Sequence, residues 1–148
     1  MTAQQHLRRV AAGIRLFRQL PSADRPILLR AWRELLVYRL RVRFRCGFPA
    51  RDMAFDGSGL ATSAVPVDRL VILFNQAAAT SVHGTSCLPS SLALRRFLRR
   101  YGTETRLRLG TRKTEAGQAG HAWIEYDGRV IGDSEELVRQ FVPFHETA

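Results

Sequence analysis

The chain has 148 residues, 45% hydrophobic and 24% charged. That is the size and composition of one globular domain, and it excludes a cross-linked miniprotein or a disordered tail. The longest uninterrupted aliphatic or aromatic run is Leu70 to Phe74, far below the roughly 20 residues that span a bilayer. The N-terminal stretch carries no apolar signal core, so a cytoplasmic protein without a membrane span is expected. Cys46 and Cys87 form no Cys-x-x-Cys pair and are expected as free thiols. The formal net charge of +10 is uneven: residues 1–51 hold twelve Arg against Asp24 and Glu34, and residues 52–148 hold ten Arg and Lys113 against eleven Asp and Glu. A basic front part of this kind attracts anionic lipid, phosphate or an acidic protein surface. A solvated face is the plain alternative, and nucleic acid is not an expected partner.

Leu7, Val10, Ala11, Ile14 and Phe17 recur at spacings of three and four, which predicts a first helix over about 4–20 with Arg8, Arg9, Arg15 and Arg18 on its other face. The segment Pro21 to Pro26 breaks the pattern and supplies a cap and an early proline for a second helix. Its predicted buried stripe is Leu28, Ala31, Trp32, Leu35 and Leu36, and it fades near Cys46-Gly47. From Phe48 to Ala64 Gly, Ser, Asp and Pro prevail, a connector with room for one short helix and the expected domain boundary. Pro66 and Asp68 open a third helix, with Val67, Leu70, Val71, Phe74, Ala77 and Ala78 on one face. A fourth runs over about 86–101 and stops at Gly102, suited to a left-handed cap.

Strands follow. Thr105 to Leu109 alternates, as does His121 to Tyr126, while Asp127-Gly128 signals a turn and Arg129 to Asp133 a returning strand. Helices first and an antiparallel sheet after them indicate an α+β fold, with a helix packed on one face of the sheet.

Cys87 falls in Gly84-Thr85-Ser86-Cys87-Leu88-Pro89. Ser86 is a good N-cap and Pro89 belongs in a first turn, so the thiol is placed at a helix N-terminus. The positive end of a helix dipole favours the thiolate, the nucleophilic form, and free first-turn amides can bind an oxyanion. A small buried apolar cysteine is the bland reading of Cys87, and a structural role is the expectation for Cys46.

A cysteine nucleophile needs an imidazole beside it and a third group to orient that imidazole. Of the four histidines, His6 and His145 lie near the termini, and His83 is separated from Cys87 by Gly84 and the expected cap. His121 is the better candidate, because it begins a strand after the Gly-rich segment Glu115 to Gly120, where a flexible loop would admit a peptide. Asp133 is the third. A two-residue Asp127-Gly128 turn would set Ala122 opposite Asp133, on the wrong face. A three-residue loop would set Glu125 against Arg129 and His121 directly across from Asp133, and this second register is the one expected. An ordinary strand-end aspartate is the alternative.

The strings Cys87-Leu88-Pro89-Ser90-Ser91-Leu92-Ala93-Leu94, Phe97-Leu98-Arg99-Arg100-Tyr101-Gly102, Leu107-Arg108-Leu109-Gly110 and His121-Ala122-Trp123-Ile124-Glu125 resemble the lasso-peptide biosynthesis B2 family, transglutaminase-like, papain-type leader peptidases. The similarity runs from Cys87 to Asp133, and the preceding helices fit it. Ser90 departs from the Arg often found there, which bears on substrate contacts rather than on the chemistry. The charge and the connector divide the chain into a basic helical region over 1–64 and a core over 65–148, and the resemblance implies that this core is transglutaminase-like or papain-like, its nucleophile helix packed on a small antiparallel sheet. It further implies a triad of Cys87, His121 and Asp133 that hydrolyses one peptide bond to free a precursor peptide of its leader, with no cofactor and no metal. The Cys87 amide and the side chain of Asn75 or Gln76 are available to an oxyanion. The implied partners are the precursor, a separate leader-binding B1 protein, and an ATP-dependent lasso cyclase acting on the released core peptide. Arg8, Arg15 and Arg18 are the expected docking residues for the B1–leader complex, because the net charge resides in their region.

Three other readings stand beside this one. A transglutaminase-like acyltransferase or amidase would share the triad and differ only in the acceptor or in the amide attacked. A non-catalytic basic adaptor for nucleic acid would leave Cys87 and His121 as core residues. A zinc site of Cys87, His121, Asp133 and His83 has suitable ligand types but lacks a short ligand spacing.

Overall fold

A computed structural model describes residues 3–49, 64–81, 86–115 and 117–144. Among these residues four helices come first: α1 (Ala3–Gln19), α2 (Arg25–Arg43), α3 (Val67–Thr80) and α4 (Cys87–Arg99). Strands β1 (Arg106–Thr114), β2 (Gly117–Tyr126) and β3 (Arg129–Ile131), the short helix α5 (Glu135–Val138) and strand β4 (Val142–Pro143) follow. The sheet is antiparallel with the order β3-β2-β1-β4. The fold is therefore α+β, as the order of sequence patterns requires. Most of the expected connector, residues 50–63, lies outside the described residues.

Local chemistry explains the boundaries. Pro26 sits in the first turn of α2, where its missing N–H removes no helical bond. Asp24 occupies the N-cap, yet its carboxylate pairs with Arg69 of α3 instead of capping. Helix α4 ends on Gly102 at φ +74°, with Thr103 N–H donating to Leu98 C=O at 3.2 Å and Gly102 N–H to Arg99 C=O at 3.1 Å, the bond pair of a Schellman cap.

The core is built from α2, α3 and α4 closing on the sheet. Leu28, Ala31, Leu35, Leu70, Leu73, Phe74, Leu92, Phe97 and Ile124 form one buried cluster. Phe97 is its centre, with ring centroids 5.5 Å from Phe74 and 5.2 Å from Tyr101. The predicted face of α3 holds: Leu70, Phe74 and Ala77 are buried, and Val67, Val71 and Ala78 pack against the same cluster.

The first helix is rotated from expectation, whereas on the second the expected stripe holds at Leu28, Ala31 and Leu35 and fails at Leu36. On α1, Leu7, Val10 and Ile14 are exposed, whereas Leu16, Phe17 and Leu20 pack on the core and Gly13 is buried. A Cβ at Gly13 would lie 3.3 Å from the Trp32 ring, so α1 approaches α2 through its smallest residue rather than its most apolar stripe. On α2, Leu36 is exposed and Trp32 half-buried, while Ile27, Glu34 and Tyr38 are inside. Trp32 spans the seam between helices, its Nε1–H donating to Thr80 Oγ1 at 3.1 Å, which turns Leu36 outward.

Glu34 is the feature periodicity hides. It is 1% exposed and holds α2 to α4 through Arg100 Nε at 2.9 Å from Oε1 and Arg96 Nε at 3.2 Å from Oε2. Arg33 of its own helix adds a contact at 2.9 Å.

The hairpins also depart from expectation. Strand β2 extends back to Gly117, and the pairs Thr111↔Gly120 through Thr114↔Gly117 occupy what was expected to be a flexible Gly-rich loop. Those residues are zipped to β1 because its polar run Arg112 to Thr114 supplies a full ladder. At the other turn Asp127 (φ +49°) and Gly128 (φ +74°) form a two-residue connection, and the pairs are Tyr126↔Arg129, Glu125↔Val130 and Ile124↔Ile131. The expected three-residue register is thus incorrect: Asp tolerates the left-handed region at the first turn position, so Asp-Gly closes the tight primed turn. Strand β3 also stops at Ile131 rather than reaching Asp133.

Replacing Glu34 with Ala should lower the free energy of unfolding by about 3 kcal/mol, because three guanidinium groups lose their common partner. Urea denaturation with an unchanged slope measures this, and a shift below about 0.5 kcal/mol would show that the cluster contributes no net stability.

Candidate functional site

Cys87 is the first residue of α4, with Ser86 at the N-cap in extended conformation (φ −69°, ψ 159°). The Ser86 hydroxyl caps nothing; its carbonyl accepts Ser90 N–H at 3.2 Å. Pro89 has no N–H, so the amides of Cys87 and Leu88 are the first-turn donors outside the helical ladder. The half-buried thiol sits on the wall of a cleft of about 120 Å³.

One turn further along α4, Ser91 donates its hydroxyl to the Ala122 carbonyl of β2 at 2.8 Å. Residues four apart share a helix face, so the turn that carries Cys87 is pinned to the strand beside His121. The same cleft is lined by Cys87, Ser90, Ser91, His121 and Asp133, with Asn75 on the α3 side. Gln76 does not line it, and its Oε1 is buried without a partner.

His121 Nε2 lies 2.7 Å from Asp133 Oδ2, with the two side chains 13% and 27% exposed. This contact forms without the register expected for it. Pairing of β2 with β3 ends at Ile124↔Ile131, after which Gly132 adopts φ +76° and swings Asp133 out of the strand direction toward His121. A side chain at 132 would be strained by that φ, and its Cβ would run into Leu94 Cδ2. The other carboxylate oxygen, Oδ1, accepts Ser134 N–H at 2.8 Å, so both oxygens of Asp133 are held.

The other side of the imidazole is packed by residues that sequence reasoning missed. Ser134 caps α5 by accepting Leu137 N–H, and its hydroxyl hydrogen bond to Glu136 holds that carboxyl below its usual range. Helix α5 then returns the chain so that Phe141 stacks on His121, centroids 4.9 Å apart at 29°. The Arg112 guanidinium lies 4.9 Å from the Phe141 ring centroid. Trp123 stacks from the same strand at 6.2 Å. The only sequence signal for this layer was the apolar pair Val138 and Phe141 downstream of Asp133.

The remaining candidates stand apart. His6 does not line the cleft, His83 and His145 fall outside the described residues, and Cys46 is exposed near the end of α2. Among the described residues no three His, Cys, Asp or Glu side chains are grouped to hold a metal ion, and no described helix is long and apolar enough to cross a membrane.

Substituting Gly132 with Ala should both destabilise the chain, by about 2 kcal/mol, and displace Asp133. The second effect is read from the His121 ring resonances by nitrogen-15 NMR: a carboxylate-bonded Nε2–H should be present in the parent and lost in the variant. Retention of that signal would show that the pairing does not depend on the Gly132 turn.

A family model described as the transglutaminase-like superfamily matches residues 34–146, a span that takes in the second half of α2, the cleft and the layer over His121. Comparison with curated proteins and with solved structures gave no match. The family match covers most of the chain and coincides with a cysteine at a helix N-terminus facing a histidine-bearing strand; the chain belongs to the transglutaminase-like superfamily.

Proposed function

We propose that the protein is a cysteine peptidase that uses Cys87, His121 and Asp133 to cleave the leader from a ribosomally made lasso-peptide precursor. The observation that carries the reading is the His121–Asp133 hydrogen bond in a cleft shared with the helix-terminal Cys87, within a transglutaminase-like domain. The substrate class is supported by the similarity of the Cys87 to Asp133 segment to the lasso B2 family. Its partners are the precursor, a leader-binding B1 protein and, downstream, the lasso cyclase.

A carboxylate only accepts hydrogen bonds, so Nε2 is the donor to Asp133, and Nδ1 is left to take the Cys87 proton. The sulfur attacks the scissile carbonyl carbon, and the C–S bond forms as the carbonyl π pair moves to oxygen. The Cys87 amide, with Asn75 on the facing wall, receives that oxyanion. His121 returns its proton to the amide nitrogen, the C–N bond breaks, and the leaving amine departs. Water, deprotonated by His121, then attacks the thioester, and sulfur leaves as the second product is released. Phe141 and Asp133 hold the ring through both transfers. An amine in place of water would give the acyltransferase outcome, a reading favoured by the superfamily match itself.

Mass spectrometry of the matched precursor incubated with its leader-binding partner tests the proposal. The parent should cleave at the leader–core junction, whereas Cys87→Ala and His121→Ala should not. Asp133→Ala should reduce turnover by about 10²- to 10⁴-fold, with Asp133→Asn less impaired because a carboxamide still orients the ring. Cleavage by Cys87→Ala would remove the nucleophile, and a product heavier by an added amine would replace hydrolysis with acyl transfer.

A further inference from the structure

The rotation of α1 leaves much of its apolar stripe facing apolar residues of α2 that lie at the edge of the core. Between them runs a groove of about 540 Å³, whose walls include Val10, Ile14 and Phe17 from α1 and Leu29, Trp32 and Leu36 from α2. Val10, Ile14, Leu29 and Leu36 are 44% to 56% exposed, an unusual concentration of apolar side chains at a surface. Arg9 and Arg39 also line the groove, and past Ile14 it meets a second hollow lined by Arg15 and Arg18. Among the described residues no carboxylate lines either hollow.

We propose that this groove is the docking site for an acidic amphipathic helix of a partner polypeptide. The two walls present apolar residues at 10, 14 and 17 and at 29, 32 and 36, two rows about 10 Å long. That is the length over which a helix places anchors at i, i+3 or i+4, and i+7. The groove is concave, so it is filled by side chains projecting from a helix and not by a flat bilayer surface. A nucleic-acid backbone would leave the apolar walls uncovered while drying its own phosphates. The charge is one-sided, because α1 carries four Arg and no acid, so carboxylates flanking the apolar stripe of the partner would meet arginines on this chain.

Among the described residues the groove shares no lining residue with the Cys87 cleft. Both are nevertheless built on α3: Thr80 and Ser81 line the groove, and Asn75 and Ala78 line the cleft. A helix seated in the groove therefore lies about one helical turn of α3 away from the cleft. The docking proposal does not rest on the peptidase reading, since it is read by binding alone.

The test uses the full chain and two labelled synthetic helices of about 18 residues. Both carry Leu at i, i+3 and i+7, one with Glu flanking the stripe and the other with Lys. Fluorescence anisotropy at low salt should show micromolar binding of the Glu peptide, at least about tenfold tighter than the Lys peptide. Ile14→Ser and Leu36→Ser should each weaken binding about tenfold or more. Both positions are exposed, so circular dichroism should remain that of the parent. Arg15→Glu should weaken binding and flatten its salt dependence. Absence of Glu-peptide binding, equal binding of both peptides, or insensitivity to both serine variants would overturn the proposal. So would either rival occupant: a concentration-dependent dimer in sedimentation that Leu36→Ser dissolves, or Leu36-dependent retention on phosphatidylglycerol vesicles without peptide binding.

Discussion

Gly132 is the constraint on which the site depends. The tight Asp127-Gly128 turn fixes a register in which a strand continued past Ile131 would set residue 133 opposite Ala122, on the face away from the imidazole. The chain escapes because a residue without a side chain follows Ile131, adopts φ +76° and passes against Leu94. Asp133 then reaches His121, Ser134 fixes the free carboxylate oxygen and opens α5, and α5 returns Phe141 to the other side of the ring. On the facing wall one hydroxyl, that of Ser91, ties the Cys87 helix to the backbone next to His121. Two local devices thus bring a helix, a strand and a bend together at one cleft.

Much of this was legible in the sequence, though not always for the reason first available. The helix ends were marked by Pro26, Pro66 and Gly102, residues whose backbone limits are intrinsic and survive any tertiary context. The pairing of His121 with Asp133 was foreseen through a hairpin register that does not form. The contact forms by another route, because ladder arithmetic cannot anticipate a chain that leaves its ladder at a glycine. The burial of α1, and of Leu36 on α2, was misjudged for a different reason. Periodicity ranks faces by apolarity, whereas helices here meet where they can come closest, at Gly13 against Trp32. Phe141 was invisible because the layer it joins is defined by the return of the chain through α5, a non-local event with no periodic signature.

The arginine excess also has a different texture in three dimensions. Several of the cations in the front part are fastened to the fold. Arg25 donates to the Leu20 and Arg18 carbonyls at the end of α1, and Arg41 donates to the Gly47 carbonyl beyond α2. Arg30 lies against the Tyr101 ring, and Arg33 meets buried Glu34. These guanidinium groups close helix ends and seams, a use for which the planar fork is better suited than an ammonium. On α1 Arg9 is tied to the Ser81 carbonyl at 2.8 Å, whereas Arg8, Arg15 and Arg18, like Arg43 of α2, are exposed.

The central claim is that Cys87 is activated by His121, and the chain contains its own control in Cys46. Cys46 is the more exposed thiol, so access alone would make it the faster to alkylate. Brief treatment with iodoacetamide near neutral pH, followed by peptide mass mapping, gives the two rates in one experiment. The account predicts that Cys87 is labelled first in the parent and falls behind Cys46 in His121→Ala. Labelling of Cys46 ahead of Cys87 in the parent, with Cys87 unaffected by loss of the imidazole, would contradict it.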